Sequence, residues 1–148
     1  MGYTLRKNEL KPKGGRMIKK LLIGLVTLYV LIVAGFETLL GYNQPENQGT
    51  LVITTFDEGE PHDRVVARIH IEDELYVAVN HWPRLWYWQL LDEPMVRIRY
   101  GEVDAMFRAV PVEGDEAIAR VDAARPLSLN FRILTGFPPR HFVQLVEV

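Results

Sequence analysis

The sequence predicts a mostly β fold, in which six short antiparallel strands close into a small β-barrel that carries two short helices and follows one N-terminal transmembrane helix. Three observations carry this reading. Strand-like stretches, alternating or β-branched, recur between short turns from Leu51 to Val148. Every tryptophan of the chain, Trp82, Trp86 and Trp88, falls in one segment between Asn80 and Pro94. An uncharged apolar run of sixteen residues, Leu21 to Phe36, precedes all of these.

The 148 residues suit one domain plus an appendage. The formal net charge of −2 conceals a segregation: seven basic residues against Glu9 precede Leu21, whereas ten basic and eighteen acidic residues follow Lys20, with no lysine among them. An acidic body repels nucleic-acid phosphates, so DNA and RNA are set aside as partners. The absence of cysteine excludes disulfides, thiolate metal sites and cysteine catalysis.

Residues 1–20 are polar and basic, broken by Pro12, Gly14 and Gly15, and read as a tail without a fold of its own. Residues 21–42 form the apolar span if Glu37 is tolerated near its end. About twenty residues at 1.5 Å each cross the roughly 30 Å hydrocarbon core of a bilayer. Tyr29 and Tyr42 fit a retained anchor; a cleaved signal peptide, with Val33 and Gly35 before the cut and a secreted domain after it, stays open as the alternative. The basic flank lies before the span, which places the N-terminus in the cytoplasm and the domain outside. Residues 43–50, polar with Pro45 and Gly49, form a linker.

The domain occupies residues 51–148. Leu51 to Thr55 is β-branched and apolar, and a turn-rich Phe56 to Asp63 follows. Arg64 to Ile71 alternates and is closed by Glu72-Asp73-Glu74 before a third strand at Leu75 to Asn80. Met95 to Tyr100 alternates Val96, Ile98 and Tyr100 against Arg97 and Arg99, then turns into Ala105 to Val112. Gly114 to Ala124 is helix-prone and ends at Pro126; the stretch after it reads as irregular, and His141 to Val146 gives the last strand. Six short strands in about a hundred residues fit a barrel, which removes sheet edges.

Arg84 to Asp92 reads as a short helix, because Pro83 suits a first helical position and Pro94 forbids continuation. Leu85, Trp86, Tyr87, Trp88, Leu90 and Leu91 leave only Arg84 and Gln89 polar in its middle, so it should be covered on most sides. A barrel mouth, a second subunit, a bound ring system or a membrane surface could each be the cover.

No nucleophile elbow, Gly-rich phosphate loop or metal-ligand spacing is present, and His62, His70, His81 and His141 are scattered. Asn80 to Arg84 is the candidate site. A loop entering a helix N-terminus offers free N–H groups to an anion, Arg84 can add a bidentate clamp, and the tryptophans offer a flat wall for a ring.

With this order of elements in place, Trp86-Tyr87, Leu90 and Pro94 followed by the strand at Met95 to Arg99 resemble the deazaflavin-dependent nitroreductase family. That family belongs to the split-barrel flavin-binding superfamily of the pyridoxamine phosphate oxidases. Leu51 to Thr55 looks like its first strand, and Arg64 matches the arginine closing its first hairpin loop. The resemblance implies a split β-barrel, often a homodimer, that holds coenzyme F(420) or FMN and moves hydride to a quinone or nitroaromatic acceptor. It implies that Arg64, Arg84 and the N–H groups around Asn80, His81 and Trp82 hold the cofactor's anionic tail, while Trp86 and Tyr87 wall its ring. Where the family has a Gly-Arg-Lys-rich turn, this chain has Phe56-Asp57-Glu58-Gly59-Glu60, whose carboxylates repel phosphate. Two readings therefore stand: a membrane-anchored oxidoreductase, or an anchored barrel without cofactor that acts as a binding or assembly module.

Overall fold

Alternation and tight turns decide the architecture. The structure, a computed structural model, describes residues 14–43, 46–80 and 85–148. Its elements are α1 (Gly14–Tyr42), β1 (Thr50–Asp57), β2 (Glu60–Ile71), β3 (Glu74–Val79), α2 (Leu85–Asp92), β4 (Met95–Tyr100), β5 (Val103–Pro111), α3 (Asp115–Ala124), α4 (Leu129–Leu134) and β6 (His141–Glu147). The six strands close in the order β1-β2-β3-β6-β5-β4, every neighbouring pair antiparallel. The β1–β2 reversal takes only Glu58 and Gly59, at φ 52° and 86°. Two consecutive positive φ values match the twist of paired strands, so pairing runs out to Asp57 opposite Glu60, well into the stretch expected to be a turn.

The barrel interior is apolar. Leu51 and Ile53 of β1, Val77 and Val79 of β3, Val96 and Ile98 of β4, Phe107 of β5 and Val143 and Leu145 of β6 meet there. Tyr87 and Leu90 of α2 join the same cluster, so the tryptophan-bearing helix closes one end of the barrel. A second layer lies outside: Ile69, Tyr76, Ala78 and Phe142 turn away from the interior and are covered by Val121 of α3. β2 thus serves both faces, Val66 inward and Ile69 outward. Arginines pin α3 to the strands. Arg125 donates to the carbonyls of Gly49 and Arg68, both at 2.9 Å. Arg140 pairs with Asp122, donates to the Arg125 carbonyl at 2.7 Å and lies over the Phe142 ring.

Three expectations change. The helix read from Leu21 begins at Gly14, because Met17 to Lys20 continue its hydrogen-bonded turns; residues 1–13 of the expected tail lie outside the described residues. The irregular stretch after Pro126 contains α4, started by Ser128, whose hydroxyl accepts from the Phe131 N–H. The barrel therefore carries three short helices. Finally, α2 is covered on one side only: Tyr87 and Leu90 are buried, while Leu85, Trp88 and Leu91 stay exposed.

Candidate functional site

A cleft of about 830 Å³ opens between α1 and the barrel, within the volume range of small-molecule sites. Its α1 wall is a single helical stripe of Tyr29, Val30, Val33, Ala34, Glu37, Thr38 and Gly41. Residues at i, i+1, i+4, i+5 and so on share one face, and this face runs about 18 Å along the axis. It grades from apolar at Tyr29 to polar at Glu37 and Thr38. The opposite wall comes from β2 (His62, Asp63, Arg64), from α2 (Leu85, Trp86, Gln89) and from Gly136 behind α4.

Local sequence fixes each wall. Gln89 is the one polar side chain that α2 turns inward, and the buried Thr55 hydroxyl donates to its Oε1 at 2.7 Å, tying α2 to β1. Asp63 accepts from the Thr54 hydroxyl at 2.6 Å and pairs with Arg99, so its charge is already answered. Arg64 makes no ion pair among the described residues, and its guanidinium lies 4.0 Å from where a Cβ at Gly41 would sit. A cation at the C-terminal end of α1 complements the helix dipole. Gly136 combines φ 70° with a close approach: a Cβ there would stand 3.0 Å from Val33 Cγ1. Both features call for glycine.

The expected site residues are partly brought together. Arg64 and Trp86 line the cleft, and both also line a smaller cavity of about 190 Å³ that adds Asn80. The Asn80 Oδ1 accepts from Arg140 Nε at 2.7 Å, which commits it to holding the barrel together. Tyr87, the neighbour of Trp86, points the other way: it is buried in the barrel core and stacks on His141 at 5.3 Å between centroids. His81, Trp82 and Arg84 lie outside the described residues. The residues that sequence reasoning missed are Tyr29, Val33, Glu37, Gln89 and Gly136; a signal did exist in Glu37, a carboxylate set inside an apolar run on the same face as Tyr29 and Val33.

The electrostatics limit what the cleft can hold. Coenzyme F(420) carries a phosphate and glutamate carboxylates, and FMN carries a phosphate. Among the described lining residues Arg64 is the one arginine or lysine, so no cluster of cations awaits a polyanionic tail there. The residues present fit an apolar or ring-bearing molecule with one acceptor group near Arg64. The described residues offer a single guanidinium to the charged tail of either cofactor. No group of three or more His, Cys, Asp or Glu able to hold a metal ion occurs among the described residues.

A closed six-stranded antiparallel barrel plugged by a short helix after its third strand defines a split β-barrel protein. In structure the chain is similar to an F420-H2 dependent reductase, with a TM-score of 0.50 and 16% identity over 66% of this chain and 94% of that one. It is similar to the General Stress Protein 26 of Bacillus anthracis, with a TM-score of 0.52 and 15% identity over 75% and 88% of the two chains. A domain-swapped dimer shares the fold as well, with a TM-score of 0.53 and 15% identity over 68% and 81%. At these identities the likeness shows the fold, and it agrees with the resemblance to the split-barrel superfamily. No family model matches the sequence, and no curated protein matches it.

Proposed function

We propose that this chain is a membrane-anchored split-barrel protein that binds a largely apolar, ring-bearing molecule of the quinone or nitroaromatic class between α1 and the barrel. The observation that carries the reading is the cleft itself: an apolar-to-polar stripe of a membrane-length helix on one wall, with Arg64 and Trp86 on the other. Trp86 supplies a flat face, and Arg64 supplies a donor for a carbonyl or nitro oxygen. α1 is the anchor, with Arg16, Lys19 and Lys20 on the cytoplasmic side and the barrel outside. A homodimer belongs to the same reading, because a domain-swapped dimer shares the fold; sedimentation of the solubilised chain at one clear mass, monomer or dimer, decides it.

A second reading, hydride transfer from FMN or F(420) to such an acceptor, draws support from Arg64 and Trp86 sharing one cavity wall and from a reductase with the same fold. One experiment separates the two. The full chain in detergent is titrated with a short-tailed benzoquinone, with FMN and with F(420), following quenching of tryptophan emission. The expected result is micromolar saturation by the quinone, weakened about tenfold by Arg64→Ala, a loss of about 1.4 kcal/mol. Saturation by FMN or F(420) would establish the oxidoreductase reading instead. Silence from all three would retire both.

A further inference from the structure

We infer that the barrel domain is not held clear of the membrane by α1 but is sunk into the outer leaflet, with α4 and the turn after it immersed in lipid. The inference rests on the proposal that α1 spans a bilayer, and it follows from where the domain grips that helix.

Lys20 is the last basic residue before the apolar run and marks the inner boundary of the hydrocarbon core. Tyr29 lies about 14 Å further along the axis, Phe36 about 24 Å, and the roughly 30 Å core ends near Leu40. α4 touches α1 at both of the inner positions: the Tyr29 hydroxyl donates to the Ile133 carbonyl at 2.9 Å, and Phe36 meets Phe131 edge-on at 6.0 Å between centroids. An α1 that crosses the bilayer therefore carries α4 down to between the midplane and the outer headgroups.

α4 is built for that place in two further respects. Its exposed side carries apolar residues: Leu129 and Ile133, one turn apart, and Phe137 just beyond its end are 64%, 40% and 50% exposed, beside the exposed Asn130 and Arg132. Three carbonyls toward its C-terminal end are satisfied, as lipid demands. The Phe131 carbonyl accepts from the Thr135 N–H and hydroxyl, that of Arg132 from the Phe137 N–H and the Thr135 hydroxyl, and that of Ile133 from the Gly136 N–H and Tyr29. Gly136 and Phe137 both take positive φ, 70° and 53°, a costly turn that leaves the Phe137 ring facing outward. Arg132, the charged residue of this element, holds its guanidinium over the Phe137 ring at 5.6 Å, and its stem is long enough to swing that group to the headgroups when α4 meets lipid.

The absence of cysteine makes the test direct. Full-length Ile133→Cys and Leu129→Cys, each carrying a small fluorophore, are reconstituted in phosphatidylcholine vesicles with brominated acyl chains. Val26→Cys on α1 reports the anchor, and Asp73→Cys, at the far end of β2 from the cleft, reports the aqueous side. Bromine should remove most of the emission at Ile133, Leu129 and Val26 and leave Asp73 bright. Quenching at Val26 with none at Ile133 and Leu129 would overturn the immersion while leaving the anchor intact. No quenching at Val26 would overturn the anchor, and the immersion with it. Labels shielded from bromine at sites that crosslink between copies would put a second subunit where we place lipid.

Discussion

The barrel and the α1–α4 flank are made of similar apolar residues and treat them in opposite ways. Ile53, Val77 and Ile98 are fully buried by other strands of the same barrel, whereas Leu129, Ile133 and Phe137 stay exposed among the described residues. The barrel has closed its own hydrogen-bond ladder and filled its own interior, so its free energy is settled within the molecule. The flank has settled its backbone but not its side chains. An exposed apolar strip continuous with a helix long enough to cross a membrane marks an interaction surface, and lipid is the occupant we propose for it. The cleft lies along the seam, one wall from each region, which is why it is apolar at one end and charged at the other.

The largest expected effect breaks the comparison at the barrel. Phe107 is buried among the interior residues, and Phe107→Ala should cost about 3–5 kcal/mol through lost burial and the cavity left behind. Ile133→Ser on the flank should cost less than about 0.5 kcal/mol in detergent, because the side chain is already exposed. Urea denaturation of the solubilised full chain, followed by tryptophan emission, measures both. Equal losses would mean that the flank is packed as a core.

The same contrast explains what could be read from sequence. Barrel strands are legible because one pleat puts successive side chains on opposite faces, so Val96-Arg97-Ile98-Arg99 announces its own burial. Arg64 and Trp86, which the family resemblance singled out, are two of the expected residues that line the cleft. Tyr87 does not line it, since a helix step of about 100° turns it from the cleft into the core beside its neighbour. α4 was hidden by its shortness and by Pro126 ahead of it, although Ser128 before Leu129 and Ile133 is a capping signal. The α1 stripe was hidden for a different reason: an apolar run looks alike on every side until something packs against one of them.

A smaller effect sharpens the comparison at the seam. Gly136 lets α4 approach α1, and Gly136→Ala should cost about 1–2 kcal/mol from the left-handed backbone alone, with a further share from the contact with Val33. Adding Val33→Ala should recover the contact share and leave the backbone share. Thermal unfolding of the single and double variants separates the two; a double variant no more stable than the single would mean that the seam is looser than 3.0 Å implies.

The smallest effect is electrostatic and belongs to the barrel. Arg120 donates to Glu74 at 2.8 Å and to the Tyr76 hydroxyl at 2.7 Å, and that hydroxyl donates to Glu74 at 2.9 Å. The Arg120 guanidinium, then Tyr76, hold the Glu74 carboxyl below the usual carboxylate range, while burial pushes the Tyr76 phenol up. Arg97 does to Asp104 what Arg120 does to Glu74. A depressed folded-state value means that the unfolded chain takes up its proton first as pH falls. The stabilisation is therefore complete above the ordinary carboxylate range near pH 4 and drains away as pH drops through the lower folded values. These pairs are solvent-exposed, so the contribution is small. Glu74→Gln should be slightly less stable at neutral pH and should lose less on acidification, narrowing the gap to the parent chain by pH 3. Because the titrating pairs sit on strands and on α3, the loss should appear in the barrel's unfolding transition while fluorophores on α4 keep their lipid-quenched emission. A label on α4 that leaves the lipid as Glu74 is protonated would show the two regions to be one cooperative unit.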